Sequence, residues 1–584
     1  MKKWFQWLLI AVLMLLLPSV PLTAAAPAKN HSLSAQAEKY LSQMSPREKI
    51  GQMVMPATFD DERQMPNNQT KEIIQKYKAG SVILFGKRSK KTTVRYNNQL
   101  QEWAKGKNGS GIPLFIGADF EYGAADLGLG AVQRYPDEST MFPRQMGTGA
   151  TKSERAAQKV SKITAIEAKA LGVNWNFSPL ADVNTNPENP VIGVRSFGSH
   201  PDLVSKMTAA QVRTLQGEGI MSSAKHFPGH GNTGTDSHTG LPEVKDSLAD
   251  LEKTALPPFK SAIKSGVSSI MTAHVIVDAI DPKLPATLSP KVLNGFLRDK
   301  LHFKGIIITD AMNMGAIKNN YGAGEAAVMA VKAGADMIMA TGTYEEQVET
   351  FQSLYDAYLD GEIPNKRLDS SVKRILIKKL EYKLFQQKPA SVSKALKTVG
   401  SKQHMKIAKS IAAQSITLLK DNSVLPLKKN AGKKTMIASV VQADTMANEV
   451  KRVSNDKVMQ WQSESQEPTS EEIQKAAAIA KDADRIIVGT HSKGQLPKAQ
   501  AQLVEALKKT GKPVIAVSLG LPYDIKDYEK SADAYLASYA LDKWLEGNMN
   551  SIEAAVDVIY GKQPGGTLPV DIPGSYPYGA GMKY

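Results

Sequence analysis

From residue 45 to residue 345, short runs of β-branched and aliphatic residues alternate with longer stretches whose apolar positions recur every three or four residues. The short runs predict strands at residues 50–56, 81–86, 113–120, 173–183, 222–226, 268–275, 305–309 and 335–340. The periodic stretches predict helices between them, as at residues 153–171, 202–217, 251–264 and 324–332. A glycine stands just ahead of several strands, at Gly80, Gly172, Gly219, Gly266 and Gly334, where a left-handed residue would stop the preceding helix. Eight such units predict a (β/α)8 TIM-like barrel. A doubly wound sheet is the alternative, but no G-x-G-x-x-G follows the first strand.

A helix over residues 365–385 closes this region, and residues 386–402, rich in Lys, Ser and Gln, read as a linker. A second pattern follows: a helix at 404–413, the apolar run Ser415-Ile416-Thr417-Leu418-Leu419-Lys420, and strands at 435–441, 485–489, 513–519 and 534–540 with helices between. Gly565 and Gly566 fit a turn before a short final strand over 567–570. This predicts an α/β sandwich of mainly parallel strands, with no concentrated catalytic set of its own. The division is a barrel over 29–385, a linker over 386–402 and a sandwich over 403–584, since 584 residues exceed one core.

The N-terminus changes the picture of where the chain works. Lys2 and Lys3 precede an apolar run over residues 4–20, then the small residues Ala24-Ala25-Ala26-Pro27-Ala28, a pattern that predicts a secretory signal peptide over 1–28. No later stretch approaches the roughly 18 apolar residues of a membrane span, so no stable membrane insertion is expected after cleavage. The chain has no cysteine, which excludes disulfides, a thiolate nucleophile and lipid attachment through an N-terminal cysteine. Its formal charge is +16, or +14 without Lys2 and Lys3, from lysines scattered along helix faces rather than gathered in one arm. Nucleic acid is therefore not an expected partner. An extracytoplasmic protein of this charge would be held loosely by an anionic cell wall.

The candidate chemistry sits at strand ends. Asp119 and Glu121 end the third strand, Asp182 and Asn184 the fourth, Lys225 and His226 the fifth, His274 the sixth and Asp310 the seventh. In a barrel of this type those ends and the loops after them form the active face. After the fifth strand, residues 225–238 hold Lys225, His226, His230, Asp236 and His238 in a glycine-rich stretch that cannot be a helix. Asp236, two residues from His238, can hold its imidazole by a charge-assisted hydrogen bond and make it a proton shuttle. Lys225 and His226 would donate to ligand hydroxyls. Two other readings stay open: a loop whose histidines cap backbone groups, and a metal site using His226, His230, Asp236 and His238, although no H-E-x-x-H or H-x-H spacing supports it. Asp310, across the barrel mouth, is either a helix cap or a nucleophile. As a nucleophile opposite an Asp-backed histidine it suits glycosidic bond cleavage with retention. Asp310 would attack the anomeric carbon, while His238 protonates the leaving oxygen and later deprotonates water.

The chain resembles glycoside hydrolase family 3 over nearly its whole mature length, in particular the β-N-acetylglucosaminidase branch. The match is carried by Lys225-His226-Phe227-Pro228-Gly229-His230-Gly231 followed by Asp236-Ser237-His238, and by Thr309-Asp310-Ala311. Ser415–Lys420 with Asp421-Asn422, and the stretch over residues 564–569, resemble the family's C-terminal sandwich. The resemblance implies Asp236 and His238 as acid/base and a glycosyl-enzyme intermediate on Asp310. It also implies that Asp119, Arg134, Arg195, Lys225 and His226 bind the non-reducing N-acetylglucosamine. One departure is visible: the family's Asp-x-Glu-Gly-Gly is Asp119-Phe120-Glu121-Tyr122-Gly123 here, with extra residues before Val132-Gln133-Arg134, so the loop after strand three is reshaped.

The expected activity is that of a secreted, cofactor-free, retaining exo-β-N-acetylglucosaminidase. Its carbohydrate substrates would be peptidoglycan-derived muropeptides or chito-oligosaccharides. The variants are a β-glucosidase, a phosphorylase that exploits the absence of a second carboxylate, a metal-dependent hydrolase, and a non-catalytic wall-glycan-binding protein.

Overall fold

The computed structural model describes residues 26–124, 139–545 and 547–584. Eight short strands form the first sheet: β1 (Val54–Pro56), β2 (Ser81–Ile83), β3 (Phe115–Ala118), β4 (Trp175–Asn176), β5 (Met221–Phe227), β6 (Ser269–Thr272), β7 (Ile306–Ala311) and β8 (Met337–Ala340). Each pairs in parallel with its neighbour in sequence, and β8 returns to β1 through Val54 opposite Ile338. The seam between β1 and β2 is bridged at Ala57 and Ile83. The sheet is thus the (β/α)8 barrel expected from the eight units, not a doubly wound sheet. Its strands are buried on both faces, which is why they read as apolar runs rather than as alternation.

The barrel interior is filled by large rings. Trp175 lies between Phe115 and Phe177, with centroids 5.0 and 5.2 Å away, and its indole N–H donates to Ser223 Oγ at 2.8 Å. Gly117 leaves room for that layer, since a Cβ there would sit 2.7 Å from the Phe177 ring. Four of the five expected helix-stop glycines, Gly172, Gly219, Gly266 and Gly334, do have positive φ. Gly80 does not. It is small because a Cβ would lie 2.4 Å from the Gln52 side chain, which with the Gly80 carbonyl receives the buried Lys379 ammonium at 2.6 Å.

The second sheet runs β9 (Thr417–Asp421), β14 (Ala534–Ala537), β13 (Val514–Ser518), β12 (Arg485–Thr490), β10 (Lys434–Ser439), β11 (Lys457–Gln462), with only the β9–β14 pair antiparallel. Helices cover both faces, as the sandwich reading requires. Two expectations fail locally. Residues 567–570 form no strand: the Pro569 carbonyl accepts from Ser199 N–H at 3.1 Å and the Leu568 N–H donates to Ala580, so the segment fastens the two domains together. Gly565 and Gly566 serve close approach rather than a turn, with a Cβ on Gly566 falling 2.2 Å from Ser415 O. Nor is the connection bare: it carries the helix Val392–Thr398, whose Ala395 packs among barrel residues such as Leu100 and Leu171. No described helix is long and apolar enough to cross a membrane.

At the start of β8 the buried Asp336 gathers three arginines. It pairs with Arg298, with Arg374 at 3.0 Å and with Arg367 at 3.6 Å, and it accepts from Ser371 Oγ and the Ile307 amide. Burial resists its charge, but the arginines outweigh that and hold the carboxyl below its usual range. Removing the acid strands its partners, so Asp336→Ala should lose about 3–5 kcal/mol in urea unfolding. A loss under 1 kcal/mol would show that these arginines do not depend on it.

Candidate active site

The strand ends converge on one cavity, open to solvent and lined by Asp119, Glu121, Arg195, Lys225, His226, His230, His238 and Asp310. β5 delivers Lys225 and His226 through a cis peptide between them, followed by a cis Phe227–Pro228 bond. Lys225 Nζ reaches Asp119 at 2.6 Å and Glu121 at 2.9 Å, and Glu121 receives Arg195 through two hydrogen bonds, at 2.8 and 3.0 Å. The result is an alternating chain of two acids and two bases. Burial alone would push Glu121 up and Lys225 down. The pairing reverses both, holding Glu121 well below and Lys225 above their ordinary values. Lys225 and Arg195 therefore meet a ligand already oriented by carboxylates.

Asp182, buried at the far end of the β4 region, organises the loop. Its carboxylate accepts from the His226 amide at 3.2 Å, His226 Nδ1 at 2.8 Å and the His230 amide at 2.7 Å. His226 Nε2 is left 3.8 Å from Asp310 Oδ2. Asp310 Oδ1 is held by its neighbour's amide, Ala311 N–H, at 2.7 Å. Burial opposes its ionisation, but His226, His274 and that amide prevail and keep it a carboxylate below the usual range.

Asp236 Oδ1 receives His238 Nδ1 at 2.7 Å and the His238 amide at 3.0 Å. The other ring nitrogen, Nε2, is buried with no partner among the described residues, on a side chain that lines the cavity. His230 instead uses both ring nitrogens inside the loop, with Thr233 Oγ1 at 2.7 Å and Ser237 Oγ at 2.9 Å. Among the described residues no group of three or more such side chains is placed to share an ion.

His274, expected at the barrel mouth, does not line the cavity. Its ring is fixed beneath it by Thr287 at 2.8 Å and the Ala311 carbonyl at 3.0 Å, so it supports β7 from behind. Arg134 lies outside the described residues. The second domain, expected to hold no concentrated catalytic set of its own, does reach the cavity. Asp542 and Trp544 line the cavity. Asp542 pairs with the buried Arg144 at 2.7 Å, Lys543 binds Asp236 Oδ2, and the Trp544 ring stands edge-on to His238 with centroids 5.8 Å apart. A polar run holding a tryptophan directly after a buried strand was the available signal. The sequence offered no way to see that this strand end points at the barrel.

A parallel barrel with paired acids, a strand-end carboxylate and an Asp-backed histidine around one cavity defines a glycoside hydrolase. The chain belongs to glycosyl hydrolase family 3: it matches that family's N-terminal domain over residues 45–377 and its C-terminal domain over residues 416–580. It is 31% identical over 553 residues to β-hexosaminidase A of Pseudoalteromonas piscicida, covering 86% of this chain and 90% of the relative. Among solved structures it is similar to a family 3 β-N-acetylglucosaminidase from Paenibacillus sp. FPU-7, with TM-score 0.81, 31% identity and coverage of 91% and 99%. A β-N-acetylglucosaminidase/β-glucosidase of Cellulomonas fimi is 31% identical over 327 residues, 54% of this chain and 56% of that one.

His230 gives the site a pH signature. Burial pushes its imidazole down to about 4, against an ordinary value of 6.5, while Asp182 pulls the other way. The unfolded chain therefore takes up the proton first as pH falls, and stability should drop between pH 6.5 and 4 by about 3 kcal/mol from this group. The check is urea unfolding at pH 7 and pH 4.5. His230→Gln should show a shallower decline than the parent chain, and equal declines would remove His230 as a source.

Proposed function

We propose that this protein is a secreted, retaining exo-β-N-acetylglucosaminidase that removes non-reducing terminal N-acetylglucosamine from peptidoglycan fragments or short chito-oligosaccharides. The observation that carries the reading is His238 Nε2, which has no partner among the described residues, on a ring backed by Asp236 that lines the same cavity as Asp310. A glycan-binding protein needs neither a buried proton donor nor a carboxylate opposite it.

In this reading Asp310 Oδ2, which no hydrogen bond holds among the described residues, attacks the anomeric carbon. His238 Nε2–H protonates the departing oxygen, and the neutral imidazole then takes a proton from water as it hydrolyses the glycosyl-enzyme. Asp236 keeps the Nδ1 proton in place through both steps and stabilises the imidazolium. Asp119, Lys225, Arg195 and His226 bind the terminal sugar's hydroxyls, and Arg134 extends that set. The names of the relatives favour the acetamido sugar, and the Cellulomonas relative's double name makes β-glucoside the comparison to run. The apolar leader pattern and the positive charge support export to a wall substrate.

The test is hydrolysis of aryl β-N-acetylglucosaminide and aryl β-glucoside by the chain without residues 1–28. A strong preference for the acetamido sugar is expected, with the β-anomer released first by NMR and no product change on adding phosphate. Asp310→Asn should abolish turnover while leaving sugar binding. His238→Ala should lose about 10²–10⁴-fold on a natural disaccharide but far less on an activated aryl leaving group. Equal losses on both would remove His238 from the acid role.

A further inference from the structure

The acid/base loop is not held by the barrel alone. Asp236 uses Oδ1 for His238, and its Oδ2 is taken by Lys543, which the second domain supplies from residues 541–545 beyond β14. That stretch is itself fixed. His491 Nε2 binds the Asp542 carbonyl at 2.9 Å, the Trp544 amide donates to Asp542 Oδ1 at 2.9 Å, and Asp542 pairs with Arg144 in the barrel at 2.7 Å. Lys543 is half-buried and lies 4.5 Å from the Trp544 ring, which faces His238. Burial alone would work against charge on both Lys543 and Asp236, and the pair opposes this in both.

We infer that Lys543 is a positioning residue for the acid/base pair: it fixes the Asp236 carboxylate behind His238 and offsets part of that carboxylate's charge, so that the dyad is complete only when the second domain is docked. The inference deepens the proposed function and rests on His238 being the acid/base.

Two effects follow, one geometric and one electrostatic. Geometrically, an Asp236 held at one oxygen only can rotate away and release the imidazole from its tautomer. Electrostatically, an uncompensated carboxylate grips the imidazolium proton more tightly, which makes His238 a weaker acid. The charged and titratable groups that share the cavity with the ring, or pair with Asp236, are Asp236 on its own loop, Lys543 and Asp542 from the second domain, Asp119, Glu121, Tyr122 and Arg144 from the stretch after β3, Arg195 from the loop after β4, Lys225, His226 and His230 from β5 and the loop after it, and Asp310 from β7. Of these, Lys543 alone contacts the oxygen of Asp236 that His238 leaves open.

The experiment compares Lys543→Met, Lys543→Arg and His238→Ala with the parent chain. It uses an activated aryl glycoside and a poor-leaving-group disaccharide, across pH. Lys543→Met should lower kcat at least about tenfold on the disaccharide, less on the aryl substrate, with KM little changed. Its alkaline limb should move up by about half a pH unit or more. Lys543→Arg, which keeps the charge, should recover most of the rate and the parent limb. Near-ultraviolet circular dichroism and the thermal midpoint of each variant check that the domains remain docked. If His238→Ala discriminates between leaving groups but Lys543→Met loses rate equally on both with an unmoved limb, the inference fails and the acid/base reading stands. If His238→Ala does not discriminate, both fall.

Discussion

The proposed acid/base, His238, would have to be held to within a fraction of an ångström to move a proton, yet it rides on a glycine-rich loop beyond the last residue of its strand. The buried carboxylate of Asp182 resolves that conflict. By accepting from the amides of His226 and His230 and from the His226 ring, it pins the root of the loop in three places. Its partners are N–H donors, so burying the charge is compensated by hydrogen bonds of the stronger, ionic kind. Everything downstream inherits that anchor. His226 is turned toward Asp310, and His230 holds Ser237, the residue between Asp236 and His238. Gly231 completes the fit, since a Cβ there would meet Val183 O at 1.8 Å.

The barrel was legible because a parallel sheet covered on both faces must be written as apolar runs separated by amphipathic helices. Nothing else in the chain competes with that pattern. Strand ends were legible as places for chemistry because a polar residue that closes an apolar run adds nothing to the apolar core. The failures share one cause, long-range contact. Gly80 looked like a helix stop because its neighbour Gln52, 28 positions earlier in the chain, is invisible as a neighbour in sequence. Residues 567–570 have the apolar content of a strand, but their backbone groups go to Ser199 and Ala580. His274 reads like the other strand-end residues and differs only in that Thr287 and the Ala311 carbonyl are in reach.

The second domain was the least legible part of the site. Within its own sequence it holds no acid/base pair, and each of Asp542, Lys543 and Trp544 looks like an ordinary loop residue. Their meaning comes from the interface. Met146, Ala150 and Val194 of the barrel are buried in the second domain's core, and a Cβ on Gly198 would collide with Pro569 O at 2.1 Å. Apolar burial of that kind fixes orientation as firmly as a strand does. A three-residue loop at such an interface can therefore be placed as accurately as residues on the barrel itself.

The charges of the site follow one rule: each is paired before a ligand arrives. Asp119, Lys225, Glu121 and Arg195 alternate in sign, Asp542 answers Arg144, and Lys543 answers Asp236. A neutral sugar entering this cavity meets oriented donors and acceptors without having to neutralise a bare ion. In the proposed mechanism, positive charge developing at the anomeric carbon meets Asp310, which among the described residues accepts a hydrogen bond at one oxygen only. Fixed dipoles and paired ions that need no rearrangement are the efficient way to stabilise a developing charge. The histidine fits the same rule. On the proposed roles, a second free carboxylate beside Asp310 would repel the nucleophile in its resting state, whereas an imidazolium gives up its proton and leaves behind a neutral ring.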